Sequence, residues 1–310
     1  MKLSYRQRDA LGWYLLMFLP ILGTIVFSIL PLFETAKSSF TNASGAFVGM
    51  TNYTILSRDI EFKQGLVNTF YMGLLGVLIN IPLSFIIANI LNNITRGKNF
   101  FKTLFLLPIV MSMVTVALLF QFIFSPDANS VANSFLRLLD IEPLKWFNDP
   151  EMSRECVVMM ALWKNLGYNV ILFFAGLQNV PQEYYEASKI DGANAFQQWL
   201  FITIPCMKNT ITFVYMTTCI NVLKRFSDVY AISGEFGEPA GSLFTIMLYI
   251  YRKSFSTRFS KDLGAASAAS IVLFVLIAII TLLNSRLTRD NSSPHRKRLD
   301  KKFWKGSTES

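Results

Sequence analysis

The chain has 310 residues, of which 52% are hydrophobic, 14% aromatic and 16% charged, with a formal net charge of +9 and a mean hydropathy of +0.40. Soluble domains carry about 25% charged residues, so an ordinary soluble enzyme or binding domain is excluded and an integral membrane protein is expected. A nucleic-acid surface is disfavoured too, because the basic excess gathers in one tail, at Arg296, Lys297, Arg298, Lys301, Lys302 and Lys305.

The apolar residues fall in runs of about 20, the length that crosses a hydrocarbon core of about 30 Å. Six runs predict an all-α membrane protein with a single transmembrane domain over residues 1–310. The first, about 12–33, follows a basic head like that of a signal peptide. It is too long for a signal h-region and no A-x-A site follows, so it is expected to be retained. The second and third lie at about 68–91 and 104–124. Pro20, Pro31, Pro82 and Pro108 sit in or at the ends of spans, where neighbouring helices can satisfy the freed backbone groups. After the third span, Asp127, Asp140, Glu142, Asp149, Glu151 and Glu155 are scattered as on a solvated face, not grouped as metal ligands. The fourth span is placed at about 156–177 and the fifth at about 207–232. The sixth, about 264–286, opens on small residues that allow close helix approach. A basic tail, 287–310, ends the chain.

With the N-terminus inside, 16 Lys and Arg residues fall on inner segments and 10 on outer ones. Basic residues favour the cytoplasmic side, so both termini are expected in the cytoplasm, together with the segment between spans four and five.

Span five is polar for a membrane segment, with Asn, Thr, Lys224, Arg225 and Asp228. Thr217, Asn221, Lys224 and Asp228 recur at i, i+4, i+7 and i+11, one face of an uninterrupted helix. Charges facing lipid are costly, so two readings stand: Lys224 and Arg225 pair with Asp228 near the outer surface, or this face lines a solute path.

The segment 178–206 is the other anomaly. Asn179 is expected to cap a short helix with Gln182 as its reciprocal partner. Pro181 suits the first turn, and Glu183 and Glu186 suit its positive end. Asp191-Gly192 reads as a C-terminal stop with positive φ at the glycine. A second short helix from Ala193 then runs to Pro205, in the first turn of span five. Ala187, Ser188, Gly192 and Ala193 leave the turn open to another protein. Tyr184, Tyr185 and Trp199 equally suit a helix lying on the membrane surface, and residue chemistry leaves both readings open.

Catalytic and cofactor chemistry is absent from the sequence. There is no G-x-x-x-x-G-K-[ST], H-E-x-x-H or G-x-S-x-G, so neither ATP binding, metal hydrolysis nor an elbow serine is expected. The only histidine is His295 in the basic tail, and Cys156, Cys206 and Cys219 form no CxxC pair.

The stretch "EASKIDGANAFQQWLFITIP" resembles the EAA loop of ABC importer permeases, through Glu186, Ala187, Asp191, Gly192, Ala193, Ile202 and Pro205. Ser188 and Ile204 depart mildly from that pattern, and Asn209 stands where a further proline is common. The segments "FVGMTNYTIL", "RGKNFFKTLFLLP", "FFAGLQNVPQEYYEAS" and "DLGAASAAS" resemble the carbohydrate-uptake branch, and the N-terminal pattern resembles the first of its two dissimilar permeases. "GEFGEP" and Ser227 depart from that branch near the outer mouth. The resemblance implies a sugar or oligosaccharide importer working by alternating access in a bacterial cytoplasmic membrane, without a cofactor of its own. Its implied partners are a second permease, two cytoplasmic ATPase subunits and an extracytoplasmic solute-binding protein, with the loop seated on an ATPase. A phosphorylated polyol is an alternative cargo, and an ion-coupled secondary transporter is a rival that calls for internal repeats and a mid-span acid.

Overall fold

The computed structural model describes residues 5–289 apart from Ala43. The basic tail expected at 287–310 lies beyond the described residues from 290 onward. Among the described residues the secondary structure is helical, with one isolated bridge between Thr41 and Phe47.

In chain order the helices are α1 (Tyr5–Thr24), α2 (Leu30–Ser38), α3 (Thr51–Arg58), α4 (Ile60–Asn93), α5 (Lys98–Val110), α6 (Met113–Ile123), α7 (Val131–Arg137), α8 (Ser153–Leu177), α9 (Gln182–Ile190), α10 (Ala195–Gln198), α11 (Ile204–Cys206), α12 (Lys208–Leu223), α13 (Ser227–Ser233), α14 (Ile246–Phe255) and α15 (Leu263–Arg289). Four stretches are long and apolar enough to cross a membrane: Gly12–Ser38, Ile60–Asn93, Ser153–Leu177 and Leu263–Arg286. In the first, a π turn at Ile25–Ile29 carries α1 into α2 without a break.

The other two predicted spans are interrupted. The third bends by 97° between α5 and α6, where Met111 takes an extended conformation and Ser112 caps α6 by accepting from Thr115 N. The fifth stops at Leu223, and Lys224 to Phe226 separate it from α13. Sixteen residues of α12 rise only about 24 Å, short of the hydrocarbon core.

The chain divides into two units, Met1–Lys63 with Tyr249–Phe274, and Gln64–Leu248 with Val275–Ser310. In the first, buried Asn52 donates to Ser39 O and Thr41 O, both at 2.8 Å. Gly264 packs so closely there that a Cβ would stand 2.4 Å from Thr41 O. Tyr249 donates to Asp59, and Arg252 pairs with Glu61. In the second unit the core joins α4, α8 and α12 through Phe85, Ala88, Val170, Phe173, Phe174, Leu177, Met207 and Val214. The last-listed helices meet closely because Gly176 has no side chain: a Cβ there would lie 2.8 Å from both Met207 Cε and Thr210 Oγ1.

Candidate functional site

Two features of the second unit carry chemistry: a polar cavity and the hairpin of α9 and α10. The cavity holds about 290 Å³ and is lined from α4, α6, α8, α12 and α13. Both interrupted spans break at its wall. Met113, the first residue of α6, stands at one break; Arg225, Phe226, Ser227 and Asp228 form the other. Interrupted membrane helices are where unwound backbone and helix ends face a water-filled site.

The walls are rich in amides. Asn169 donates to Asn80 Oδ1 at 2.6 Å and to Thr218 Oγ1 at 3.1 Å, joining α8 to α4 and α12. Ser84 donates to Asn80 Oδ1 at 3.0 Å. Asn221 and Asn165 line the cavity beside this network, with Tyr168. An amide both donates and accepts, so such a wall suits a solute rich in hydroxyl groups.

Both charged walls are already partnered. Arg225 Nη1 lies 2.9 Å from Asp228 Oδ2, with 7% and 5% of the two side chains exposed. Asp228 Oδ1 also accepts from Val229 N at 2.9 Å. Lys164 donates to Met111 O at 2.6 Å, Ile109 O at 3.2 Å and Pro108 O at 3.4 Å.

Of the four pathway residues expected from span five, Asn221 and Asp228 line the cavity, whereas Thr217 and Lys224 are not among its walls. Thr217 donates back to Phe213 O and Val214 O on its own helix. Lys224 is the exposed C-cap of α12, and of the two neighbouring cations it is Arg225 that pairs with Asp228. The single face drawn from 217 to 228 needs a continuous helix, and the break at 224–226 re-aims everything beyond it. The sequence reading missed Asn80, Lys164, Asn165, Tyr168, Asn169 and Thr218 as walls. Polar residues inside otherwise apolar runs, "LIN" in span two and "WKNLGYN" in span four, were the available signal.

The hairpin is built largely from local bonds. Gly192 has φ +81° and closes a paired C-terminal motif: its N–H donates to Lys189 O at 3.1 Å and that of Ala193 to Ser188 O at 2.9 Å. Asn194 then opens α10 with a reciprocal cap, accepting from Gln197 N at 2.9 Å while its own N–H donates to Gln197 Oε1 at 2.8 Å. Gln198 Nε2 donates to Ser188 Oγ at 2.9 Å, and Tyr185 OH and Thr203 Oγ1 lie 2.9 Å apart. These bonds strap the two short helices together.

One local expectation is corrected. Asn179 does not cap α9; it donates to Ala175 O, and Pro181 is the N-cap without a side-chain bond. The reciprocal cap stands instead at Asn194 and Gln197, in the second helix. Trp199, half-buried, packs at 5.9 Å against the ring of Phe85. Around the turn, Glu183, Glu186, Ala187, Asp191 and Gly192 are exposed, Ala193 is half-buried, and Pro205 is exposed at the start of α11. Ile190 and Phe196 are 89% and 67% exposed, leaving an apolar edge beside the acidic residues.

The sequence profile of the family described as "Binding-protein-dependent transport system inner membrane component" matches residues 80–292. The chain is 34% identical to the lactose transport system permease protein LacF of Rhizobium radiobacter, over 92% of this chain and 96% of that one. It is 30% identical to the arabinooligosaccharides transport system permease protein AraP of Bacillus subtilis, over 86% and 85%. Its fold is similar to a chain in the crystal structure of a bacterial alginate ABC transporter in complex with an alginate pentasaccharide-bound periplasmic protein, with a TM-score of 0.81 at 23% identity, covering 92% and 96%.

Proposed function

This chain belongs to the family of binding-protein-dependent transport system inner membrane components, and we propose that it is a permease subunit of an ATP-driven importer of a sugar or oligosaccharide. The observation that carries this reading is the amide-walled cavity at which two interrupted spans meet. The sugar-transport relatives match over most of their length and support the substrate class.

In this reading residues 1–310 act as one permease domain with six spans, each interrupted pair, α5 with α6 and α12 with α13, counting as one. Both termini and the hairpin face the cytoplasm of a bacterial cell. A second, dissimilar permease completes the path, an extracytoplasmic binding protein delivers the sugar, and two cytoplasmic ATPase subunits hydrolyse ATP.

The hairpin is the handle. Its exposed turn, with Glu183, Glu186, Ala187, Asp191, Gly192 and Ala193, seats on an ATPase subunit, while its inner side is fixed to the bundle by Trp199 against Phe85, and Pro205 stands at its base. α8 runs directly into it and α12 directly out of it. The cavity walls lie on the half of α8 before the apolar core and the half of α12 after it. Closure of the ATPases therefore tilts two helices joined by a packed core, and the cavity at their far halves opens to alternate sides. Asn221 and Asp228 contact the passing solute.

The topology is tested by single cysteines at Asn148 and Asn194 and an impermeant thiol reagent. Asn148→Cys reacts from outside and Asn194→Cys does not; the opposite pattern overturns the orientation. The activity is tested by uptake of radiolabelled lactose and arabino-oligosaccharides in cells expressing the chain with its partner subunits.

A further inference from the structure

We propose, resting on the reading as an import permease, that Lys164 is a positioning residue for solute passage: it pins the break between α5 and α6 and thereby holds the wall that α6 gives to the cavity. The evidence is a two-point fit between α8 and α5. Lys164 and Gly167, three residues apart, lie on one face of α8. At Gly167 the two helices touch backbone to backbone, since a Cβ there would stand 1.8 Å from Phe105 O and 2.6 Å from Phe105 C. One turn further along α5, Lys164 reaches Pro108 O, Ile109 O and Met111 O.

Pro108 O also accepts from Met111 N at 3.3 Å, so the demand falls on Ile109 O and Met111 O. The last C=O groups of a helix have no intrahelical donor and form the negative end of its dipole, and in a membrane no lipid group replaces water. An ammonium has three donors and no acceptor. Three carbonyls therefore occupy it fully, and although Lys164 lines the cavity it has no hydrogen left for a solute. Its position matters in place of its reach.

Beyond the break the partners change. α6 begins at Ser112 and Met113, and Met113 lines the cavity. At its other end Gln121 Nε2 donates to Ile232 O at 3.1 Å, tying α6 to α13, the helix that carries Asp228. On one side of the break α5 is locked to α8; on the other α6 is tied to α13 and touches α8 through Phe120 and Trp163, with ring centroids 5.6 Å apart. Lys164 is the polar bond at the break itself that sets its angle.

The test replaces Lys164 in the full chain, co-expressed with its partner subunits, with Cys156, Cys206 and Cys219 changed to alanine. Nitroxides on Phe100→Cys and Phe122→Cys, both outward and exposed, report the distance across the break by electron–electron resonance. Lys164→Met is expected to broaden the distance distribution and lower sugar uptake about tenfold, as when a contact in a coupled network is cut. Lys164→Arg, which keeps the charge and several donors, is expected to restore both. An unchanged distribution in Lys164→Met overturns the pin. So does a broadened distribution with wild-type uptake, or lost uptake with wild-type distances. If the unsubstituted protein takes up neither lactose nor arabino-oligosaccharides, those two cargoes are excluded, and the distances alone decide the pin.

Discussion

The hairpin lies between α8 and α12, both of which also wall the cavity, and the two are made in opposite ways. In the hairpin nearly every bond joins residues fewer than twenty apart: Gly192 to Lys189, Asn194 to Gln197, Tyr185 to Thr203. In the cavity the deciding bonds join residues far apart, Asn169 to Asn80 and Lys164 to Met111. The hairpin is thus specified by its own stretch of sequence, whereas the cavity is specified by which helices meet. The hairpin should lose function through its surface without loss of fold; the cavity should lose both together.

Gly192→Asp gives the largest effect on transport. A positive φ costs a residue with a Cβ roughly 1–2 kcal/mol, and open space surrounds the glycine, so the chain still inserts and folds. ATPase subunits are expected to be lost from the tagged chain on co-purification, and uptake abolished. Retention of both at wild-type level removes the hairpin from coupling and erases the contrast. Glu186→Ala should act in the same direction but more weakly, because among the described residues Glu186 caps no helix, which leaves a partner's basic group as its role.

Next comes the buried pair. Asp228→Ala leaves Arg225 uncompensated, a change that costs on the order of 3–5 kcal/mol. Thermal unfolding of the purified protein is expected to show that loss together with lost uptake, whereas Gly192→Asp leaves the melting temperature nearly unchanged. A stable Asp228→Ala protein breaks the claim that cavity and fold fail together.

Asn221→Ala sharpens the comparison inside α12. Removing one amide hydrogen-bonding group costs about 1 kcal/mol, so uptake should fall severalfold with assembly intact. Thr217→Ala and Lys224→Ala, off the cavity wall, should leave uptake within a factor of about two. Equal losses at all three positions would falsify the placement of the wall.

The smallest effect belongs to the cap of the second short helix. Gln197→Ala removes half of a reciprocal cap, worth about 1 kcal/mol at most. Slightly faster proteolysis of the 178–206 segment is expected, with uptake retained.

Legibility followed this division. The glycine turn was readable because only a residue without Cβ takes φ +81° without strain. The wrong cap was also a local error: Asn179 and Asn194 are both followed three residues later by glutamine, and the tie is broken by α8 running on to Leu177 so that Asn179 bonds back into it. In span five, the polar residues correctly marked a special helix, but their face was drawn on an unbroken 3.6-residue period. The break at 224–226 made Asn221 and Asp228 neighbours of one cavity and turned Lys224 away.

By itself, then, the sequence determined what depends on short separations and on composition. Apolar runs of about 20 residues are long enough to cross a membrane as helices, and a Gly turn between two short amphipathic segments closes on its own hydrogen bonds. The tertiary structure decided the rest. Whether a helix with no proline at the break stops at Leu223 depends on Arg225 finding Asp228 and Val157 O inside the bundle. Whether a lysine inside a span is a solute contact or a pin depends on three carbonyls more than fifty residues away. The Arg225–Asp228 pair is three residues apart and was open to a local reading. The bonds to Val157 O and to the three carbonyls are long-range bonds of polar groups that lipid cannot satisfy, and no local pattern along the chain encodes their partners.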